Sequence, residues 1–265
     1  MFFCSILLSL FAFGHCVYDP RLASVSVNLS QSTYCSTWPC ATCSSSNHLE
    51  TVIEEHGEKC LIGYNTDYDR LFVAFRGSTD LSNWIDDIQI RRIHPYNDSD
   101  VEVEQGFYKA YHSLQPAIQE TLVSLRHQYQ TRRLIITGHS LGAAMASIMA
   151  YETQEDYDVW LVTFGSPRVG NRAFVQSLQS IEVMYRVVHY YDFVPHTPEE
   201  ALGYLHLPNE VWYDESNQHY VTCTDDFTHE DDSCSNSCAP IHCTSTSDHL
   251  NYIGIPMGSS SNGLC

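Results

Sequence analysis

The chain has 265 residues, a length that suits one large α/β domain. Thirteen Lys and Arg stand against 32 Asp and Glu, a formal charge of −19. So acidic a surface repels phosphate backbones and anionic headgroups, which excludes nucleic acid as a partner and electrostatic anchoring as a route to membranes.

Residues 1–16 hold no Asp, Glu, Lys or Arg, and Phe2 to Phe13 is an almost unbroken apolar run too short to span a bilayer. Small residues follow at Gly14 and Cys16. This predicts a secretory signal peptide cleaved near residue 16, although the usual basic start is missing. Cys4 and Cys16 fall inside it. The remaining cysteines, Cys35, Cys40, Cys43, Cys60, Cys223, Cys234, Cys238, Cys243 and Cys265, point to disulfides in an exported chain, with at least one thiol left over. Cys40-x-x-Cys43 lacks the following βαβ helix of a redox motif and reads as a small structural bridge. No second C-x-x-C or paired His supports zinc. Asn28-Leu-Ser30 and Asn97-Asp-Ser99 are glycosylation sequons.

From Pro20 to Tyr34 the pattern is helical, with Leu22, Val25 and Leu29 on one face. Residues 35–48 form a Cys-, Ser- and Thr-rich loop. Cys60–Tyr64 and Leu71–Phe75 read as a hairpin, and Phe75-Arg-Gly-Ser-Thr79 ends its second strand in a turn. Directly after it, Leu81, Trp84, Ile85 and Ile88 recur at i, i+3, i+4 and i+7, one apolar stripe of a short helix. A stripe there is either packed permanently on a core or serves as a lid, apolar face down over a site. A long helix runs from Gln105 to about Gln130, burying Phe107, Ala110, Tyr111, Leu114, Ile118, Leu122 and Leu125.

The stretch around which the chain is organised comes next. Arg133-Leu-Ile-Ile-Thr137 is a short apolar run, and Ala143 to Ala150 is small and helix-forming. Between them lies Gly138-His-Ser140-Leu-Gly142. Strand, G-x-S-x-G and helix are the context of a nucleophile elbow, with Ser140 lifted on a strained turn at a helix N-terminus. A serine hydroxyl needs a base, and the base needs an orienting acid; in this arrangement they follow in the order Ser, acid, His.

Val159–Phe164 is the next strand, Asn171–Leu178 a helix, and Met184–Tyr190 a further strand. Asp192 stands at the C-terminal end of that strand, where catalytic groups of open α/β sheets collect. Fourteen histidines compete to be the base. His139 must point away from Ser140, and His189 lies within a strand. Order along the chain leaves two leading candidates, His206 and His249. The acids at Asp225-Asp226 and Glu230-Asp231-Asp232 lack a calcium-loop spacing and read as a solvated acidic loop.

Taken together, Phe75-Arg-Gly-Ser78, Asn83-Trp84-Ile85, Thr137-Gly-His-Ser-Leu-Gly142, Phe164-Gly-Ser-Pro-Arg-Val-Gly170, Asp192-x-Val-Pro-His196 and Asp248-His-Leu-x-Tyr252 resemble the fungal-type triacylglycerol lipases of the class 3 lipase family. The resemblance runs from about Asp19 to Cys265. It implies Ser140 as nucleophile, Asp192 as acid and His249 as base, so that His206 drops out. It implies an oxyanion hole at Ser78 and the backbone N–H of Leu141, and a lid over about residues 80–90 with Leu81, Trp84, Ile85 and Ile88 on its apolar face. His139, Pro167, Val194 and Leu250 would line the acyl groove. By similarity Cys35 pairs with Cys265, Cys40 with Cys43 and Cys223 with Cys234. Cys238 and Cys243 are extra and are assigned to a local pair, and Cys60 becomes a buried thiol.

Two features depart from the family pattern. The elbow continues Gly-Ala-Ala where many relatives have Gly-Gly-Ala, and the chain is more acidic. The first is also seen in feruloyl esterases of this fold. The expected architecture is an α/β-hydrolase: one domain over 17–265, a mostly parallel mixed sheet, helices on both faces and a short helical lid. The expected activity is hydrolysis of acylglycerol esters at a lipid–water interface by a secreted monomer that needs no cofactor or metal. A feruloyl or short-acyl esterase is the alternative, and an inactive binding or storage protein on this fold the second.

Overall fold

The computed structural model describes residues 17–38, 44–80, 83, 91–239, 241–258 and 265. The expected signal peptide, the Cys40–Cys43 bridge and Leu81, Trp84, Ile85 and Ile88 of the expected lid lie outside the described residues.

An eight-stranded sheet runs in chain order across the molecule: β1 Asn47–Glu55, β2 Glu58–Asn65, β3 Arg70–Phe75, β4 Arg133–His139, β5 Asp158–Phe164, β6 Val183–His189, β7 Glu210–Tyr213 and β8 Tyr220–Thr222. Strands β3 to β7 are parallel, and β1, β2 and β8 add antiparallel margins. The expected hairpin forms, with Cys60 opposite Phe75 and Tyr64 opposite Leu71.

The central strands are apolar at nearly every position because both faces are covered. Leu71, Val73 and Phe75 of β3, with Leu134 and Ile136 of β4, pack on one side. There they meet α2 (Gln105–Tyr129), α3 (Leu141–Thr153) and α4 (Arg172–Gln176). Phe72, Ala74 and Ile135 face the other side, against Leu22, Ala23, Val27 and Leu29 of α1 (Pro20–Ser32). The expected elements among the described residues form within two or three residues of their predicted ends. Strands β1, β7 and β8 were not read from the sequence, nor was α5 (Thr246–His249).

Three disulfides are present among the described residues: Cys35–Cys265, Cys223–Cys234 and Cys238–Cys243. Cys60 is a buried free thiol, and burial raises its pKa far above the usual thiol range. Asn97 is exposed in a loop, whereas Asn28 is half-buried in α1 with its amide donating to Ser24 O.

One expectation is corrected. The acids of residues 225–232 are not all solvated. Asp225 and Glu230 are buried, and their carboxylates are counter-ions. Arg186 holds Glu210 at 2.7 Å and Asp225 at 3.0 Å. Arg168 grips both oxygens of Glu230 at 2.7 Å. A buried guanidinium needs paired carboxylates far more than a loop needs calcium.

Candidate active site

Strand β4 turns into α3 at Ser140, whose backbone adopts φ 59° and ψ −127°. This sparsely populated conformation is the strained corner of an elbow. Glycine is demanded on both sides by close approach. A Cβ at Gly138 would lie 2.3 Å from the backbone of Gly142, and one at Gly142 would lie 2.3 Å from Phe75 O. The Ser140 N–H is tied to Phe164 O of β5 at 2.9 Å. Leu141 opens α3, so its N–H has no acceptor within the helix.

Because β3 and β4 are parallel neighbours in register through Phe75 and Gly138, the turn after β3 arrives beside the elbow. A Cβ at Gly77 would come 3.0 Å from Ser140 Cβ. Ser78 follows it, half-buried. Its hydroxyl donates to Asp80 O at 3.1 Å and accepts from Asp80 N–H at 3.2 Å.

Asp192 leaves the end of β6 and is fully buried. Residue Ser245 docks on it through a parallel bridge and caps α5 by accepting the Asp248 N–H at 3.0 Å. Thus α5, four residues long, delivers His249 to the carboxylate. His249 Nδ1 lies 2.8 Å from Asp192 Oδ2, with neither side chain exposed. The same oxygen accepts the Tyr252 hydroxyl, and Oδ1 accepts the Val194 N–H at 2.8 Å. Burial and the Asp192 charge push the Tyr252 phenol far up, so it remains a donor.

Both Ser140 and His249 abut one turn. A Cβ at Gly165, the residue after Phe164, would sit 2.9 Å from His249 Nδ1. Ser140 Oγ and His249 Nε2 are buried, and neither has a hydrogen-bond partner among the described residues. An unpaired hydroxyl and an unpaired imidazole nitrogen, with a carboxylate behind the imidazole, are the groups that acyl transfer requires.

His206, the competing base, is buried elsewhere. It is held neutral chiefly by burial, and its Nε2–H donates to Pro195 O at 2.5 Å. His139, expected in the acyl groove, lies beneath the elbow. It is 1% exposed, and both ring nitrogens are engaged by Tyr34 and the His249 carbonyl. Pro167 and Val194 are buried, and Leu250 is 39% exposed. Tyr34 and Tyr252 carried no role in the sequence reading. The spacing of Tyr252 three residues after His249 was the one available signal.

Two groups of candidate metal ligands occur among the described residues: His196 with Cys238 and Cys243, and Glu210 with Cys223 and Cys234. In each the sulfurs are joined to one another, which removes the thiolates a metal would need.

A family model for lipase (class 3) matches residues 72–202. A lipase of Rhizomucor miehei is 33% identical over 257 residues, covering 89% of this chain and 68% of that protein. The chain belongs to the class 3 lipases. It is a carboxylic ester hydrolase with the α/β-hydrolase fold. The solved structure of a triacylglycerol lipase, described as having a serine-protease triad as its catalytic centre, superposes on this lipase with a TM-score of 0.83. The two are 31% identical, over 91% of this chain and 96% of that one. A secreted mono- and diacylglycerol lipase of Fusarium solani is 33% identical over 146 residues, 54% of this lipase and 44% of that protein.

Proposed function

We propose that this lipase is exported and cleaves acylglycerol esters at a lipid–water interface, with Ser140, His249 and Asp192 as its triad. The observation that carries this reading is the buried 2.8 Å contact of His249 Nδ1 with Asp192, together with unpaired Ser140 Oγ and His249 Nε2. His249 Nε2 takes the serine proton as Oγ bonds to the ester carbonyl carbon. The carbonyl oxygen, now an anion, is held by the N–H groups of Leu141 and Ser78 and by the Ser78 hydroxyl once it turns from Asp80. Each such donor is worth about 3 kcal/mol in the transition state. The tetrahedral adduct expels the glycerol oxygen, which receives the proton from His249. Water then attacks the acyl-enzyme by the same path, releasing fatty acid and restoring Ser140. Asp192 keeps Nδ1 protonated and stabilises the imidazolium.

Interfacial action rests on the sequence stripe Leu81, Trp84, Ile85 and Ile88, read as the apolar face of a lid. A substrate dissolved as single molecules needs no such face. Export rests on residues 1–16 and on the disulfides. Residues 17–265 are read as one domain acting as a monomer. Two measurements test the proposal. Tributyrin hydrolysis should rise steeply above the solubility limit, while a methyl hydroxycinnamate turns over poorly; turnover of the hydroxycinnamate alone would replace the lipase reading with the esterase one. A fluorophosphonate should label wild type and not Ser140→Ala, and an unlabelled wild type would leave only a binding protein.

A further inference from the structure

The mechanism above gives no task to a buried histidine next to the nucleophile. His139 Nε2 lies 2.8 Å from His249 O, and its Nδ1 lies 2.7 Å from Tyr34 Oη. A carbonyl can only accept, so the imidazole proton sits on Nε2 and Nδ1 accepts from the phenol. The phenol oxygen also lies against the backbone at Gly77. A Cβ at Gly77 would meet that oxygen at 2.3 Å. The links therefore run one way, from Tyr34 O–H through the His139 ring to the His249 carbonyl. Each bond of such a chain polarises the next.

Its ends matter more than its length. Gly77 leads into Ser78 of the expected oxyanion hole, His139 is bonded to Ser140, and His249 is the expected base. We infer that Tyr34 and His139 are positioning residues that fix the base relative to the nucleophile and the oxyanion turn. The inference rests on the triad reading above. Tyr34 is well anchored for this task, since the adjacent Cys35 is bridged to Cys265 and Cys35 O accepts Lys59 Nζ at 2.7 Å. Burial, reinforced by the neighbouring His249, holds His139 neutral, and burial keeps the Tyr34 phenol protonated. Positive charge on His249 during turnover disfavours a second proton on His139, so the direction of the chain persists through the reaction.

The test is a set of variants assayed on a soluble p-nitrophenyl ester. His139→Leu should lower kcat about tenfold to a hundredfold with KM within about twofold, since misplacement of a reacting group acts on the chemical step. His139→Gln, whose amide can donate to His249 O, should recover most of the loss. Tyr34→Phe with His139→Leu should be no worse than His139→Leu alone, because both cut the same chain. Wild-type kcat in His139→Leu, equal losses in the Leu and Gln variants, or additive losses in the double variant would each overturn the inference. If His139→Leu does not fold, Tyr34→Phe carries the test, and an undiminished kcat there overturns it. Ser140→Ala separates the two levels. If it still hydrolyses the ester, the triad reading falls and takes this chain with it. If it is inactive while His139→Leu is fully active, the positioning role alone falls.

Discussion

Replacing Asp192 with Asn exchanges one oxygen for an NH2 group and tests the tautomer logic of the site. The Asp192 carboxylate has one oxygen facing a donor that cannot change, the Val194 N–H at 2.8 Å. Its other oxygen faces His249 Nδ1 at 2.8 Å and the Tyr252 hydroxyl. An amide must put its NH2 on one side. Against Val194 it would oppose two donors in a buried site, at a cost of about 1–3 kcal/mol. On the other side the phenol can rotate to accept, and the imidazole can move its proton from Nδ1 to Nε2. The second arrangement therefore wins, and it is inactive, because a protonated Nε2 cannot take the serine proton. The expected loss in kcat is about 10⁴-fold, or about 5 kcal/mol of transition-state stabilisation. Initial rates on a tributyrin emulsion and the rate of fluorophosphonate labelling should fall together, while the thermal midpoint confirms an intact fold. A folded Asp192→Asn enzyme within tenfold of wild type would refute the reasoning.

Four further outcomes are expected. Gly138→Ala drives a Cβ to 2.3 Å from the Gly142 backbone and should cost at least about 3 kcal/mol or abolish folding, read as the denaturation midpoint. Loss of the Cys35–Cys265 bridge, which closes 230 residues, should cost on the order of 5 kcal/mol by chain entropy, read in a Cys35→Ala/Cys265→Ala variant by urea unfolding. Arg186→Met strands Glu210 and Asp225 and should cost about 3–5 kcal/mol at pH 7. Burial already raises the Glu210 carboxyl, so its uptake of a proton on acidification should narrow the deficit. Burial alone would raise the Glu230 carboxyl too, but the Arg168 guanidinium paired with both its oxygens outweighs it and holds it well below the usual carboxylate range. That contribution to stability is present above the unfolded carboxylate pKa of about 4.3 and is lost as pH falls below it, so Glu230→Gln should flatten the acid limb of the stability–pH curve.

What could be read from sequence follows from how each element meets solvent. Strands β3 to β6 are covered on both faces and appear as apolar runs that need no partner to be recognised. Strand β1 alternates in burial, but its inward positions include Asn47 and Thr51 and its outward ones Val52, and β8 is exposed throughout, so neither shows as apolar–polar alternation. The choice between His206 and His249 is likewise not a property of either residue's neighbours in sequence. Both rings are buried, and only the partner differs: a backbone carbonyl for one and a carboxylate for the other.

Arg186 shows that the acidic segment did carry a legible signal of another kind. It interrupts Met184-Tyr-Arg-Val-Val188 in a strand buried on both faces, and a guanidinium there must find carboxylates. They come from Glu210 and from the loop closed by Cys223–Cys234, eleven residues apart in sequence, which carries both Asp225 and Glu230. Ion pairs that would repay little if their partners were free to wander become useful when a disulfide limits that freedom. The brace then reaches the site. Glu230 Oε1 accepts the His206 N–H at 2.9 Å, and the His206 ring donates to Pro195 O, three residues after Asp192. Three of the 32 acidic residues, Glu210, Asp225 and Glu230, thus lie beneath the surface, holding the loop that follows Asp192.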